Sequence, residues 1–183
     1  EKQSYLSIAS ASASTAEATA ALLSCRFVRA NPIQDLYGVE YAAVIKNIIA
    51  LAAGIGHGLG YGDNLQAVLV ANAMQEMHRF VSAIDPRARD MNASAYLGDL
   101  LVTAYSQFSR NRLFGNMIGR GYSVQAAQLE MNMIAEGYYA ARSIYKKNEA
   151  LQVEMPMVTS VYNILYHHQK AEDAFKKLLT ILR

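Results

Sequence analysis

The stretch VEYAAVIKNIIALAAGIG, residues 39–56, decides the fold of this chain. It predicts a helix at the centre of a core, and one stripe of that helix is wholly apolar: Val44, Ile48, Leu51 and Ile55. Lys46 lies on a second stripe, whose other residues are small: Ala42, Ala43, Ala50, Ala53 and Gly54. Lysine is almost never fully buried unless it is paired or used in chemistry. The small residues leave room for a neighbouring helix or a ligand, although a lysine whose stem packs while its amine reaches water is the more ordinary interpretation.

The composition narrows the class of protein. The 183 residues suffice for one domain, or for one domain with part of another. Hydrophobic residues make up 52% of the chain and charged residues 17%, which is more apolar than an average soluble domain. The net charge of +2 comes from scattered basic residues, so we expect no nucleic-acid partner. The single cysteine, Cys25, cannot form an internal disulfide and fits the cytoplasm, which is the localisation we expect.

Residues 39–60 are long enough to span a membrane. However, Glu40 and Lys46 lie inside this segment, and a charge at the centre of a span costs about 2.5–3.5 kcal/mol. A buried helix of a soluble core is therefore the better prediction. Residues 1–20, rich in Ser, Ala and Thr, lack the pattern of a secretory signal.

The first 31 residues differ in pattern from the rest. We predict a strand at 5–9, a helix at 15–24 capped by Ser14 or Thr15, and a second strand at 26–30, after which Asn31-Pro32 breaks the chain. Two strands and one helix cannot bury their own faces. We therefore expect residues 1–31 to be the remnant of an N-terminal Rossmann-like α/β domain, with Glu1 a cut rather than a natural start.

Residues 32–183 are expected to form an all-helical domain. The apolar spacing predicts helices at about 35–57, 64–84, 92–106, 109–119, 123–144, 157–166 and 169–181. The helix after Tyr122-Ser123 is expected to contain Leu129, Met133 and Ile134. No strand pattern of useful length and no internal repeat interrupts this region.

Short polar segments beside Lys46 suggest chemistry. Ser109-Arg110-Asn111-Arg112 suits a phosphate or carboxylate, because the arginine fork donates two hydrogen bonds and a helix N-terminus capped by Ser109 adds backbone donors. A surface cap with solvated arginines is the simpler interpretation of this segment alone. The glycine-rich run that ends in Gly62-Asp63-Asn64 lacks the spacing of a dinucleotide fingerprint, and a helix end followed by a cap explains it.

The order of these segments is more specific than any one of them. The chain carries A-x-x-K-N-x-x-A-x-x-x-G (43–54), G-D-N (62–64), E-M (76–77), G-D-L (98–100), T-x-x-S-x-x-S-R-N-R-x-x-G (103–115), A-E-G (135–137) and E-M-P (154–156). This series resembles the C-terminal domain of NAD(P)-dependent glycerol-3-phosphate dehydrogenase over about residues 14–183. The resemblance implies a mainly α fold, a multi-helix C-terminal domain of the 6-phosphogluconate-dehydrogenase-like type. It also implies an oxidoreductase that interconverts dihydroxyacetone phosphate and glycerol 3-phosphate for glycerophospholipid synthesis.

The resemblance assigns roles residue by residue. Lys46 matches the catalytic lysine, and the matching substrate-site residues are Lys46, Asn47, Asp99, Ser109, Arg110 and Asn111. Arg110, Ile134 and Glu136 match positions that line NAD or NADP, a cofactor held mainly by an N-terminal domain whose fingerprint and second active-site lysine do not occur here. Proton transfer suits Lys46, since an amine in apolar surroundings loses its proton more readily than in water, while a carboxylate such as Asp99 opposes that effect. We expect no metal and a small phosphorylated substrate, and leave a homodimer open.

The chain departs from the family pattern at two places. The family usually has R-G where Asn72-Ala73 stands, and T-F-x-G-L-A-G-L where residues 90–97, DMNASAYL, stand. Because of these differences, the substrate specificity stays open. The choice between NAD and NADP also stays open. Two alternatives also stay open: a related two-domain hydroxy-acid dehydrogenase, which would not need the SRNR segment, and a helical interaction module without chemistry.

Overall fold

A computed structural model describes residues 2–131 and 133–183. The chain begins with a strand, a helix and a second strand: β1 Ser4–Ala9, α1 Ala13–Leu23 and β2 Val28–Ile33. The two strands pair in parallel, from Ser4 opposite Val28 to Ala9 opposite Ile33. The predicted order is confirmed, but β2 begins two residues later than predicted and continues through Pro32. An edge strand tolerates proline, because its missing N–H can face away from the partner strand.

The rest of the described chain is helical, as predicted. The elements are α2 Leu36–Gly58, α3 Asp63–Ile84, a π-helical turn Ser94–Gly98, α4 Asp99–Tyr105, α5 Arg110–Gly119, α6 Val124–Glu130, α7 Glu136–Leu151, α8 Pro156–Tyr166 and α9 Ala171–Leu179. The predicted cap Ser123 is confirmed, since its hydroxyl accepts from the Ala126 N–H at 3.1 Å. At α1 the cap is Ser12 rather than Ser14 or Thr15.

One predicted helix, 123–144, is wrong. It is two helices, since α6 ends at Glu130 and α7 begins at Glu136. Leu129, Met133 and Ile134, which the prediction placed in one helix, are 88%, 61% and 63% exposed. Their apolar spacing imitates a core face, but no element of the described chain covers them. The break redirects α7 so that Gly137 lies against the backbone of α2, where an added Cβ would be 2.6 Å from the Asn47 carbonyl oxygen.

Helix α2 lies at the centre of the fold, in contact with α3, α4, α5, α7 and α8. Its predicted apolar stripe is confirmed at Ile48, Leu51 and Ile55, which are fully buried, whereas Val44 is half-buried. It is also long and apolar enough to cross a membrane by length and composition, yet 61% of its most apolar window is buried inside the fold. This burial is typical of the core helix of a soluble protein.

Another helix fills most of the room beside Lys46. Helix α5 packs on the small stripe so closely that a Cβ on Gly54 would lie 2.1 Å from the Arg112 carbonyl oxygen. In the same way, a Cβ on Gly115 would lie 2.1 Å from the Leu51 carbonyl oxygen. The two backbones therefore touch directly, which only glycine permits. This contact brings the N-terminal end of α5 beside the middle of α2.

Candidate functional site

An ion pair joins the middle of α2 to the first residue of α4. The Lys46 Nζ donates to both carboxylate oxygens of Asp99, at 2.6 and 2.5 Å. The two side chains are 22% and 37% exposed, so the pair lies at the surface of the fold rather than inside it. The lysine stem packs while the amine meets a carboxylate from a residue 53 positions away.

A chain of amide contacts ties three helices together beside this pair. The Asn111 Nδ2 donates to the Asn47 Oδ1 at 2.9 Å, and the Gly137 N–H donates to the Asn111 Oδ1 at 2.8 Å. Asn111 is only 7% exposed. Because its two amide ends are both engaged, α2, α5 and α7 are held in one register here. The Asn47 Nδ2 is left to face the Ala43 carbonyl and Glu136, at 3.3 and 3.4 Å.

The SRNR segment opens α5 as predicted. The Ser109 hydroxyl accepts from the Arg112 N–H at 3.3 Å, which confirms the predicted cap. Arg110 is the first residue of α5 and is exposed. Among the described residues its guanidinium makes no ion pair, and its nearest polar contact is the Met133 sulfur at 3.8 Å. A cation at a helix N-terminus without a carboxylate partner is available to an anion.

Two adjacent cavities share a wall. The first has a volume of about 290 Å³ and is lined mainly by polar residues, which include Asn47, Thr103, Ser109, Arg110, Asn111 and Glu136. The second, of about 800 Å³, is more apolar, with Phe114, Met131, Met133, Ile134, Arg110 and Glu136 among its lining residues. Arg110 and Glu136 thus separate a small polar compartment from a larger apolar one.

The eight residues predicted from the sequence fall into three neighbouring groups. Asn47, Ser109, Arg110, Asn111 and Glu136 line the polar cavity. Ile134 joins Arg110 and Glu136 in the apolar one. Lys46 and Asp99 form the ion pair next to Asn47.

The Lys46 amine is turned to Asp99, and Lys46 is not among the residues that line the three cavities around the site. Asp99 instead lines a further cavity of about 580 Å³, between β1 and the π-helical turn. Val102 lines this cavity and the polar one, so the ion pair lies where they adjoin.

Four residues that line the polar cavity were not assigned from the sequence: Val102, Thr103, Ser106 and Phe108. Of these, Thr103 is tied to the ion pair, because its hydroxyl donates to the Asp99 carbonyl at 2.8 Å. The signal was present in the sequence. Thr103 follows Asp99 by four residues, which places the two on one face of a helix, and it begins the T-x-x-S run.

The sequence matches one described family. The profile of the C-terminus of NAD-dependent glycerol-3-phosphate dehydrogenase matches residues 35–176. A similar protein, named glycerol-3-phosphate dehydrogenase [NAD(P)+], comes from Pelodictyon phaeoclathratiforme. It is 40% identical over 93% of this chain and 51% of its own length. A protein of the same name from Syntrophomonas wolfei is 40% identical over 84% of this chain and 45% of its own length.

The fold leads to the same group of proteins. The crystal structure of glycerol-3-phosphate dehydrogenase from Coxiella burnetii superposes with a TM-score of 0.92 at 31% identity, over 97% of this chain and 55% of that one. A Dunaliella salina structure superposes with a TM-score of 0.85, and its 24% identity speaks to the fold alone. The chain spans about half the length of the curated relatives it matches.

Proposed function

Because this chain belongs to the NAD-dependent glycerol-3-phosphate dehydrogenase family, we propose that it is the substrate-holding part of an oxidoreductase. Its substrates would be dihydroxyacetone phosphate and glycerol 3-phosphate, its cofactor NAD or NADP, and its product a precursor of glycerophospholipids. The observation that carries the proposal is the free guanidinium of Arg110 at the rim of a small polar cavity. A non-phosphorylated hydroxy acid would not need that cation, and a module without chemistry would not need the cavity.

The phosphate group would lie at the start of α5. Within the described chain, the backbone N–H groups of Arg110 and Asn111 have no hydrogen-bond acceptor, because the Ser109 hydroxyl serves only the Arg112 N–H. Free N–H groups at a helix N-terminus favour an anion, and the Arg110 fork adds two charge-assisted donors. A volume of about 290 Å³ suits a three-carbon phosphate.

The proton would pass between the substrate oxygen and the Lys46 Nζ. A lysine ammonium has three donors, and Asp99 occupies two of them, so one remains for the substrate oxygen. In ketone reduction that donor protonates the new alkoxide, and in alcohol oxidation the neutral amine takes the hydroxyl proton. Asn47, held by Asn111, is placed beside the amine to orient the same part of the substrate.

A nicotinamide, when bound, supplies or accepts the hydride at the substrate carbon. The apolar cavity fits such a flat ring, because Ile134 and Met133 expose large apolar surfaces there and Glu136 and Arg110 form a polar edge. These residues would hold the reactive end of the cofactor against the polar cavity. The described residues contain no glycine-rich fingerprint for its pyrophosphate.

The proposed cellular compartment and binding partners rest on the composition and on helix α2. We place the protein in the cytoplasm, since the long apolar helix α2 is a core helix and the chain has a single cysteine. Its partner would be the small phosphorylated substrate rather than nucleic acid, because the basic residues are scattered. Whether two copies associate is a matter for sedimentation analysis of the complete protein.

The test is Arg110→Ala in the complete protein that carries this sequence. Loss of a charged hydrogen-bonding partner costs about 2 kcal/mol or more, so we expect kcat/KM for glycerol 3-phosphate to fall by about 30-fold or more. The matched control is Arg120→Ala, an exposed arginine at the opposite end of α5, which should leave kcat/KM within about twofold. An unchanged KM in Arg110→Ala would overturn the phosphate site.

A further inference from the structure

A buried polar cluster lies at the start of α2, away from the cavities of the proposed site. The carboxylate of Asp35, 7% exposed, accepts four hydrogen bonds. Two come from the Arg89 guanidinium at 2.5 and 3.0 Å, one from the Tyr96 hydroxyl at 2.5 Å, and one from the Gly38 N–H at 3.0 Å. Asp35 therefore caps α2 while it binds a loop arginine and a tyrosine of the π-helical turn.

Arg89 extends the cluster to the end of α3. Its guanidinium donates to the Asp85 carbonyl at 2.6 Å and to the Asp85 carboxylate at 2.9 Å, and its side chain is 1% exposed. Arg87 adds a second cation, 2.7 Å from the Asp85 carboxylate. Burial raises the pKa of Asp35, but hydrogen bonds from Arg89 and Tyr96 outweigh it and hold the pKa below its ordinary value. Two carboxylates and two guanidinium groups thus balance one another.

The backbone is shaped around this cluster. An added Cβ on Gly38 would lie 2.1 Å from the Asp35 Oδ2 and 2.8 Å from the Arg89 Nε. The carboxylate and the guanidinium consequently rest directly on the first turn of α2. Any side chain at position 38 would displace both groups.

The cluster reaches the proposed site through the π-helical turn. Tyr96 lies in that turn, and Asp99 follows it as the first residue of α4. The Asp99 N–H bonds to the Ser94 carbonyl, the five-residue spacing of a π-helix. Helix α2 is therefore bridged to this segment twice, by Asp35 with Tyr96 and by Lys46 with Asp99. π-helical turns occur frequently at functional sites.

We propose that Asp35, Arg89 and Tyr96 are positioning residues, whose network holds the π-helical turn against α2 and so sets where the Asp99 carboxylate meets the Lys46 amine. The catalytic meaning of this role rests on the proposed function, but the coupling between the two bridges does not. Tyr96 belongs to residues 90–97, where the sequence departs from the family pattern.

The coupling is measured by a double-mutant cycle of unfolding. The variants are Tyr96→Phe, which removes one hydroxyl, Lys46→Met, and both together in the complete protein. We expect the unfolding constant of the double variant to differ from the product of the single effects by about threefold or more, because residues of one network are not additive. The matched control is Tyr166→Phe, which loses a hydroxyl bond of 2.7 Å to the Tyr138 carbonyl and should combine with Lys46→Met within about twofold.

A milder variant, Asp85→Asn, covers the case in which Tyr96→Phe folds too poorly for the cycle. It weakens the hold on Arg89 and leaves the Asp35–Tyr96 bond in place. It should couple to Lys46→Met in the same direction. Additivity within about twofold in whichever of the two cycles can be measured would overturn the proposal.

Kinetics separate positioning from structural support. Misplacing a reacting group by 1 Å costs about 100-fold, so Tyr96→Phe should lower kcat by about 10- to 100-fold and shift the pH profile of kcat. The KM for glycerol 3-phosphate should stay within about twofold, since the Arg110 end of the site is untouched. Tyr166→Phe should change neither. If the variants couple but the parent protein shows no dehydrogenase turnover, the network stands and the proposed function is refuted. If the variants couple but Tyr96→Phe leaves kcat unchanged, the network is only a structural anchor and the positioning role is refuted.

Discussion

The carboxylate of Glu76 accepts a hydrogen bond from the Met157 N–H at 2.5 Å and so closes the N-terminal end of α8 from inside the core. It also accepts from the Val158 N–H at 3.3 Å. This contact joins the E-M and E-M-P segments, since Pro156 begins the helix that Glu76 caps. Glu76 is only 1% exposed, and burial raises its pKa to about 7, although the two N–H donors oppose that rise.

We predict that titration of Glu76 makes the folded protein less stable as the pH rises from about 4.5 to about 7. Between these values the folded state keeps a proton on Glu76 that the unfolded state has lost, so raising the pH favours unfolding. The effect is at most on the order of 3 kcal/mol. Urea unfolding at pH 5 and pH 7.5 measures it, and Glu76→Gln should flatten the slope.

Glu149→Gln is the control, because Glu149 is an exposed glutamate on α7 that is not among the groups acting on Glu76, so it should leave the slope as it is. The four histidines are exposed and are present in all these variants. Parallel pH dependence in the parent protein and in Glu76→Gln would refute the assignment.

Lys46→Met should separate chemistry from folding. Methionine keeps the length and packing of the stem, and Asp99, 37% exposed, keeps access to water once its partner is gone. We therefore expect the free energy of unfolding to change by less than about 1 kcal/mol, as for exposed ion pairs. In the complete protein kcat should fall by about 10²–10⁴-fold, the usual range for a proton-transfer group. Tm and kcat are measured on one preparation.

The control for that experiment is Lys147→Met, an exposed lysine on α7, which should change neither quantity. A structural lysine at position 46 would give the opposite result. Stability would drop while the activity per folded molecule stayed near normal.

Gly115→Ala should disrupt the contact between α2 and α5. The new methyl would lie 2.1 Å from the Leu51 carbonyl oxygen, so the backbones must separate. Overpacking of this kind costs about 1–3 kcal/mol or more, measurable by chemical unfolding. Gly62→Ala is the matched control, since nothing lies within 4 Å of its added Cβ and its backbone is extended. Equal stability of the two variants would contradict the close packing.

The 183-residue chain on its own should be catalytically inactive. The fingerprint that binds the cofactor pyrophosphate does not occur in it, so hydride transfer has no donor in place. An assay with NADH or NADPH and dihydroxyacetone phosphate checks this. Turnover comparable to that of the complete enzyme would refute the two-domain interpretation, in which residues 1–31 are a remnant and residues 32–183 the helical domain.

The sequence predicted what local patterns determine. The core stripe of α2 follows from spacing, and the Ser109 cap follows from one side chain and the next turn of helix. The break before Glu136 could not be predicted in this way, because Leu129, Met133 and Ile134 repeat at helical spacing yet remain exposed. Helical periodicity reports where apolar residues recur, not whether another part of the fold covers them.

Polar contacts between residues far apart in the sequence could not be predicted from local patterns either. Asp35 meets Arg89 across 54 positions and Tyr96 across 61, and no spacing rule connects them. The prediction that Lys46, Asp99 and Arg110 share one site came instead from the order of the family motifs. That order reflects a shared fold rather than a local pattern, and the fold is confirmed by the Coxiella burnetii structure.

The backbone contact between α2 and α5 sets a rule for engineering. Gly54 and Gly115 lie against carbonyl oxygens of the facing helix, so a side chain added at either position could not be accommodated by a change of rotamer. The glycine contact therefore fixes the positions of Asn47 on α2 and Asn111 on α5 relative to each other. Val102 and Phe108, by contrast, are 71% and 97% exposed while they line the polar cavity. A library that aims at a new substrate should keep Gly54 and Gly115 and randomise Val102 and Phe108, because substitutions at these exposed positions lower the stability of the fold least.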